Sequence, residues 1–108
     1  MKLFGEYIRE LREEQKLPLR KVAAYLDIDT SILSKIERDE RTLNQKQIFK
    51  IADFFNLDST QLYEEYLSEQ VAKSIYLEGN ISQILKVAER KAEYLKIKHL
   101  KQGKIEFK

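Results

Sequence analysis

His99 is the only imidazole in the chain, and it lies in a lysine-rich stretch near the chain end. No Cys occurs, which removes thiol nucleophiles, disulfides, thiolate zinc sites and iron–sulfur ligation. One His also rules out an all-histidine metal site within a single chain. The carboxylate pairs Glu13-Glu14 and Glu64-Glu65 are adjacent in sequence. On a helix such neighbours diverge, because only residues three or four apart share a face, so neither pair forms a general acid/base dyad. No glycine-rich phosphate loop is present. These residues point away from an enzyme, and they predict no metal, no cofactor and no small-molecule substrate.

The elements that would position any site are helical. Of 108 residues, 43% are hydrophobic and 35% charged, with three Gly and one Pro. That supplies one modest core and few tight turns, and the abundance of Leu, Glu and Lys indicates an all-α protein. Phe4, Tyr7, Ile8 and Leu11 give helical spacing over about Leu3 to Lys16, ended by Pro18. A short helix follows from Leu19 to Leu26, with Val22, Ala23 and Leu26 inward. After Asp27-Ile28-Asp29, a third runs from Thr30 to Glu37 or Arg38 with Leu33 and Ile36 inward, and Asp29 is expected to cap it. The fourth spans about Asn44 to Phe55, with Ile48, Ile51, Ala52 and Phe55 on one face. A fifth, capped by Asp58 or Ser59, reaches about Leu77 with the stripe Leu62, Tyr66, Leu67, Val71 and Ile75. Gly79-Asn80 breaks the chain before a sixth helix from Ile81 to about Lys98. Residues Lys101 to Lys108 are expected to fray or to form a short strand through Ile105 and Phe107. No run of about 18 apolar residues is present, and the start of the chain lacks the apolar centre of a signal peptide. The expected location is cytoplasmic, with no membrane contact.

Two short helices joined by three residues cross at a large angle, which is helix-turn-helix geometry. Such a unit suits double-stranded DNA, because a helix fits the major groove and the exposed N-terminal half of the second helix reaches base edges. The chain resembles the XRE family of Cro- and phage-repressor-like regulators. The matching stretches are Ile8 to Leu17, Val22 to Leu26, Ser31 to Arg38 and Ile48 to Phe55. The resemblance implies a five-helix, lambda-repressor-like DNA-binding domain over about residues 3–67, with an additional C-terminal helix. The expected organisation is a helix-turn-helix domain at 1–67 and a helical extension with a basic tail at 68–108.

The resemblance places Thr30 and Ser31 where the recognition helix enters the groove. Lys35 lies one turn later on the face of Ser31, and Ser34 is a weaker candidate for base reading. Hydroxyls serve several base edges, whereas Lys favours guanine acceptors or phosphate. Phosphate contacts are expected from Arg20 and Lys21, from Arg38 and Arg41, and from Gln45 and Lys46. Asp29 is open to a second role, accepting from cytosine. Ile32 either packs or meets a thymine methyl. The family pairs an arginine at the Arg12 position with a glutamate at the Glu37 position; the other reading has Arg12 on phosphate and Glu37 solvated. Three positions depart from the family pattern. Leu19 replaces a usual polar residue, and Asp27 and Asp39 stand where Gly is common and left-handed backbone is expected. Asp39 and Glu40 also add negative charge beside the DNA.

The net charge of +2 averages three unlike segments: +1 over residues 1–57, −4 over 58–79 and +5 over 80–108. Ile81, Ile84, Leu85, Ala88, Ala92 and Leu95 form a stripe expected to pair two copies, with Tyr63, Tyr66, Tyr76 and Tyr94 adding contact area. The expected protein is a dimeric transcriptional regulator on a palindromic operator, in keeping with a repressor. The alternative is an antitoxin-like DNA-binding protein whose C-terminal helix holds a partner protein.

Overall fold

A computed structural model of the chain describes residues 1–101. Among these, the elements are α1 (Phe4–Glu14), α2 (Leu19–Leu26), α3 (Thr30–Glu37), α4 (Gln45–Phe55), α5 (Ser59–Ile75) and α6 (Ile81–Lys101), with no strand. The expected strand through Ile105 and Phe107 lies outside the described residues. The chain divides into two compact units, Met1–Val71 and Ala72–Lys108.

In the first unit the helical period sets the core. Phe4 and Ile8 of α1, Val22, Ala23 and Leu26 of α2, Leu33 and Ile36 of α3, and Ile48, Ile51, Ala52 and Phe55 of α4 are all buried. Full burial of one such aliphatic side chain contributes about 1.5–3 kcal/mol. Ile32 is half-buried against this core, so it packs. The α5 stripe needs correction. Leu62 and Tyr66 are buried, but Leu67 and Val71 are exposed. Leu67 is five residues past Leu62, about 140° around the helix, so it cannot share the face that Leu62 and Tyr66 form four residues apart. Tyr66 is also lost to any interface by its burial. Its ring meets Phe4 edge-on at 5.1 Å, and its hydroxyl accepts from the Leu43 backbone N–H at 2.8 Å.

Four helix ends close in the same way. Lys16, Asp27, Asp39 and Asn56 have φ of 55°, 58°, 62° and 56°. At each, two successive N–H groups fold back onto carbonyls of the last turn. For Asp27 and Ile28 the acceptors are Ala24 and Ala23, at 3.2 and 3.0 Å. For Asp39 and Glu40 they are Ile36 and Lys35, at 3.1 and 2.8 Å. This is the Schellman closure, usually made with Gly. Asp27 and Asp39 therefore adopt the left-handed geometry expected of them. Starts are less uniform. Asn44 makes a full capping box with Gln47, and Asp58 accepts from the Gln61 N–H at 2.9 Å. Asp29, expected to cap α3 through its carboxylate, makes no side-chain cap bond. Its carbonyl accepts from Ile32 and Leu33 instead, at 3.0 and 3.1 Å.

The second unit contains α6, which has no buried residue. Ile84 and Val87 are half-buried, while Ile81, Leu85, Ala88, Ala92 and Leu95 are exposed. Among the described residues, no helix is long and apolar enough to cross a membrane.

Candidate nucleic-acid interface

The α2–α3 pair stands on a brace at Arg12. Its Nε donates to Glu37 Oε2 at 2.7 Å and its Nη2 to Glu37 Oε1 at 2.9 Å. Its Nη1 donates to the Leu17 carbonyl at 2.9 Å. One planar fork thus joins α1, the α1–α2 connection and the last turn of α3. Such bidentate, charge-assisted bonds fix direction as well as distance. Glu37 is only 7% exposed, which sets aside the reading in which it is solvated. The Arg12 guanidinium is held above its ordinary pKa, first by its hydrogen bond to Glu37 and then by the charge of that carboxylate, against a lowering from burial.

Gly5 provides a second brace, which the sequence reading missed. A Cβ on Gly5 would lie 2.4 Å from the Ile36 carbonyl oxygen and 2.9 Å from that of Glu37. The first turn of α1 therefore sits directly on the backbone of the last turn of α3. Tyr25 is a third: its hydroxyl donates to Asp53, its ring lies 5.1 Å from that of Phe54, and it so ties α2 to α4. The bond to Asp53 raises the phenol pKa, with smaller raising contributions from burial and the Asp53 charge. Arg12 and Gly5 thus fix α3 against α1, and Tyr25 fixes α2 against α4.

On this scaffold Thr30, Ser31 and Lys35 are exposed on α3, and Ser34 is half-buried. Arg20 and Lys21 are exposed at the start of α2. Arg41 is exposed in the loop after α3, while Lys46 is exposed and Gln45 half-buried where the Asn44–Gln47 box opens α4. The Tyr66 bond to Leu43 anchors the loop between those groups.

Ser34 and Arg38 are not independent groups. Arg38 Nη1 donates to Ser34 Oγ at 2.6 Å, and Arg38 Nε donates to Glu40 Oε2 at 2.7 Å. The hydrogen bond to Glu40, and then its charge, raise the Arg38 pKa. The same bond and then the Arg38 charge hold the Glu40 carboxyl below the usual carboxylate range, with Lys35 adding a smaller pull.

Residues 8–62, just over half of the chain, match the family model described as helix-turn-helix. The chain belongs to the XRE-type helix-turn-helix family. It is a DNA-binding transcriptional regulator with a lambda-repressor-like fold, carrying an additional C-terminal helix. Among solved structures, the SinR protein/SinI protein complex is similar over 94% of this chain and 99% of that one, with 20% identity and a TM-score of 0.48. No curated protein sequence matches significantly.

Proposed function

We propose that this XRE-type regulator acts as a homodimer on a palindromic operator. In this reading α3 of each copy lies in the major groove. Thr30, Ser31 and Lys35 read base edges, and Ser34 reads less because its oxygen is already engaged by Arg38. Arg20, Lys21, Arg41, Gln45 and Lys46 hold the flanking backbone. The supporting observation is the coincidence of exposed hydroxyls and a lysine on α3 with an α3 braced at Gly5 and Arg12. A rigid support is what places short side chains accurately on base edges.

For dimerisation the support is the spacing along α6. Ile81, Leu85, Ala88, Ala92 and Leu95 recur at alternating steps of four and three, the seam by which two helices pack. Ala88 and Ala92 let the axes approach closely. Two copies double the contact set and set half-sites about one helical turn apart.

Selection of bound sites from random duplex DNA tests both parts. The expected result is enrichment of two inverted half-sites one turn apart. Thr30→Ala with Lys35→Ala is expected to erase preference for the enriched site by about 2–6 kcal/mol. Weak binding to random duplex at low salt should remain. Equal loss on both duplexes would sink the base-reading assignment. Sedimentation checks the seam: Leu85→Glu should convert the dimer to a monomer of unchanged helicity. A dimer of unchanged strength would place the interface elsewhere. A chain that sediments as a monomer without mutation, but forms a stable heteromer with another protein, would favour the antitoxin-like alternative.

A further inference from the structure

The turn that follows α3 sets a carboxylate, Glu40, beside the cation Arg38. The backbone dictates its position. Asp39 turns left-handed at φ 62°, and the Glu40 N–H then folds back to the Lys35 carbonyl at 2.8 Å. That closure returns Glu40 over the end of the helix, where its Oε2 accepts from Arg38 Nε at 2.7 Å. Arg38 Nη1 is simultaneously held by Ser34 Oγ at 2.6 Å. The guanidinium therefore already has an anion and a hydroxyl oxygen in its fork.

We propose that Glu40 occupies the anion seat at Arg38 that a DNA phosphate would otherwise take, and so holds down the sequence-independent part of DNA binding. Glu40 is in this sense a specificity-determining residue. The inference rests on the docking of α3 proposed above. Its physics is an exchange of partners. A phosphate that takes the Nε edge of Arg38 displaces Glu40, and one that takes the Nη2 hydrogens sits beside the Glu40 carboxylate. Either way the carboxylate faces the polyanion and recruits a cation from solution. The counterion released from the DNA is offset by the one taken up, so Arg38 adds little to affinity or to salt dependence. Phosphate contacts carry no base information, and suppressing one raises the share of binding that Thr30, Ser31 and Lys35 supply. The pair is exposed on both sides, with about half of each side chain accessible. An exposed pair is weak, so the exchange is a bias and not a block.

Glu40→Gln tests this on the full chain, because it keeps the shape of the side chain and removes its charge. The probe is random-sequence duplex DNA across a salt series. The expected result is about fivefold tighter binding. The plot of log affinity against log salt should steepen by about one, the value for one additional phosphate neutralised. In an Arg38→Ala background only the repulsion of an already unpaired carboxylate is relieved, so the same substitution should change affinity by less than about twofold, with a clearly smaller change in slope. Equal gains in both backgrounds would show general relief of negative charge and overturn the proposal, as would no gain in either. Failure of this inference is separable from failure of the docking of α3. If Thr30→Ala with Lys35→Ala still abolishes site preference while Glu40 and Arg38 show no coupling, the inference alone falls. If neither effect is seen, the docking of α3 falls with it.

Discussion

Arg12→Ala is expected to destabilise the first unit by about 3–5 kcal/mol, the cost of leaving a buried carboxylate without its partner. The Arg12 fork makes three hydrogen bonds, and both oxygens of Glu37 depend on it. Removing the fork strands Glu37, whose side chain is 5% exposed, and frees the Leu17 carbonyl. A small domain is stable by only about 5–10 kcal/mol, so the variant should be partly unfolded near physiological temperature. Urea unfolding at low temperature gives the measurement, and an unchanged midpoint would refute the brace. Arg12→Lys should rescue little, since an ammonium cannot reproduce a bidentate fork. Arg12→Met combined with Glu37→Met should recover most of the loss, because no buried charge is left unpaired and only the Leu17 carbonyl lacks its former donor. That recovery separates stranded charge from lost packing. Base preference of the folded fraction is expected to change less than stability does, since neither residue reads DNA in the proposed complex and the Gly5 contact still seats α3.

The sequence and the structure agree most closely where one local rule decides. The α2 limits, Leu19 and Leu26, follow from Pro18 on one side and the Asp27-Ile28-Asp29 break on the other. The inward residues of α2, α3 and α4 follow from the 3.6-residue period. The pairing of Arg12 with Glu37 is what the family resemblance implies, and it agrees with the chemistry of a guanidinium fork and a carboxylate. Its third arm, onto the Leu17 carbonyl, has no side-chain signal at all. Other features depend on distances through space. Asp29 has the residue type of a cap, yet the carbonyl and not the carboxylate serves α3. Lys16 turns left-handed with nothing in its side chain to favour that geometry; closure onto Arg12 and Glu13 imposes it. Arg38 and Ser34 are four residues apart and so share a helix face, but the part played by Glu40 depends on a turn whose geometry only Asp39 hints at. For the same reason Arg38, read from sequence as a plain phosphate contact, is found paired with Glu40.

Gly5→Ala is the second large effect, expected to cost about 2–3 kcal/mol, as overpacking at a close contact does. In sequence, Gly5 is merely a poor helix former inside α1, and substitution by alanine would on propensity alone be favourable by about 1 kcal/mol. The structure reverses the sign. The added Cβ would meet the Ile36 oxygen at 2.4 Å and the Glu37 oxygen at 2.9 Å. Both are backbone atoms, so no side-chain rotation relieves the clash, and α1 or the end of α3 has to shift. The Ile36 carbonyl also accepts from the Asp39 N–H, and Glu37 holds Arg12. The shift therefore reaches both the α3 closure and the Arg12 fork. Thermal unfolding should show a midpoint lowered by about 10–20 °C, and the folded fraction should bind DNA more weakly because α3 is displaced. Gly79→Ala supplies the control: a Cβ there meets nothing within 4 Å, and its midpoint should move by less than about 0.5 kcal/mol in equivalent stability. Equal behaviour of the two alanine variants would mean that α1 does not rest on the α3 backbone, and the support proposed for accurate base reading would lose one of its contacts.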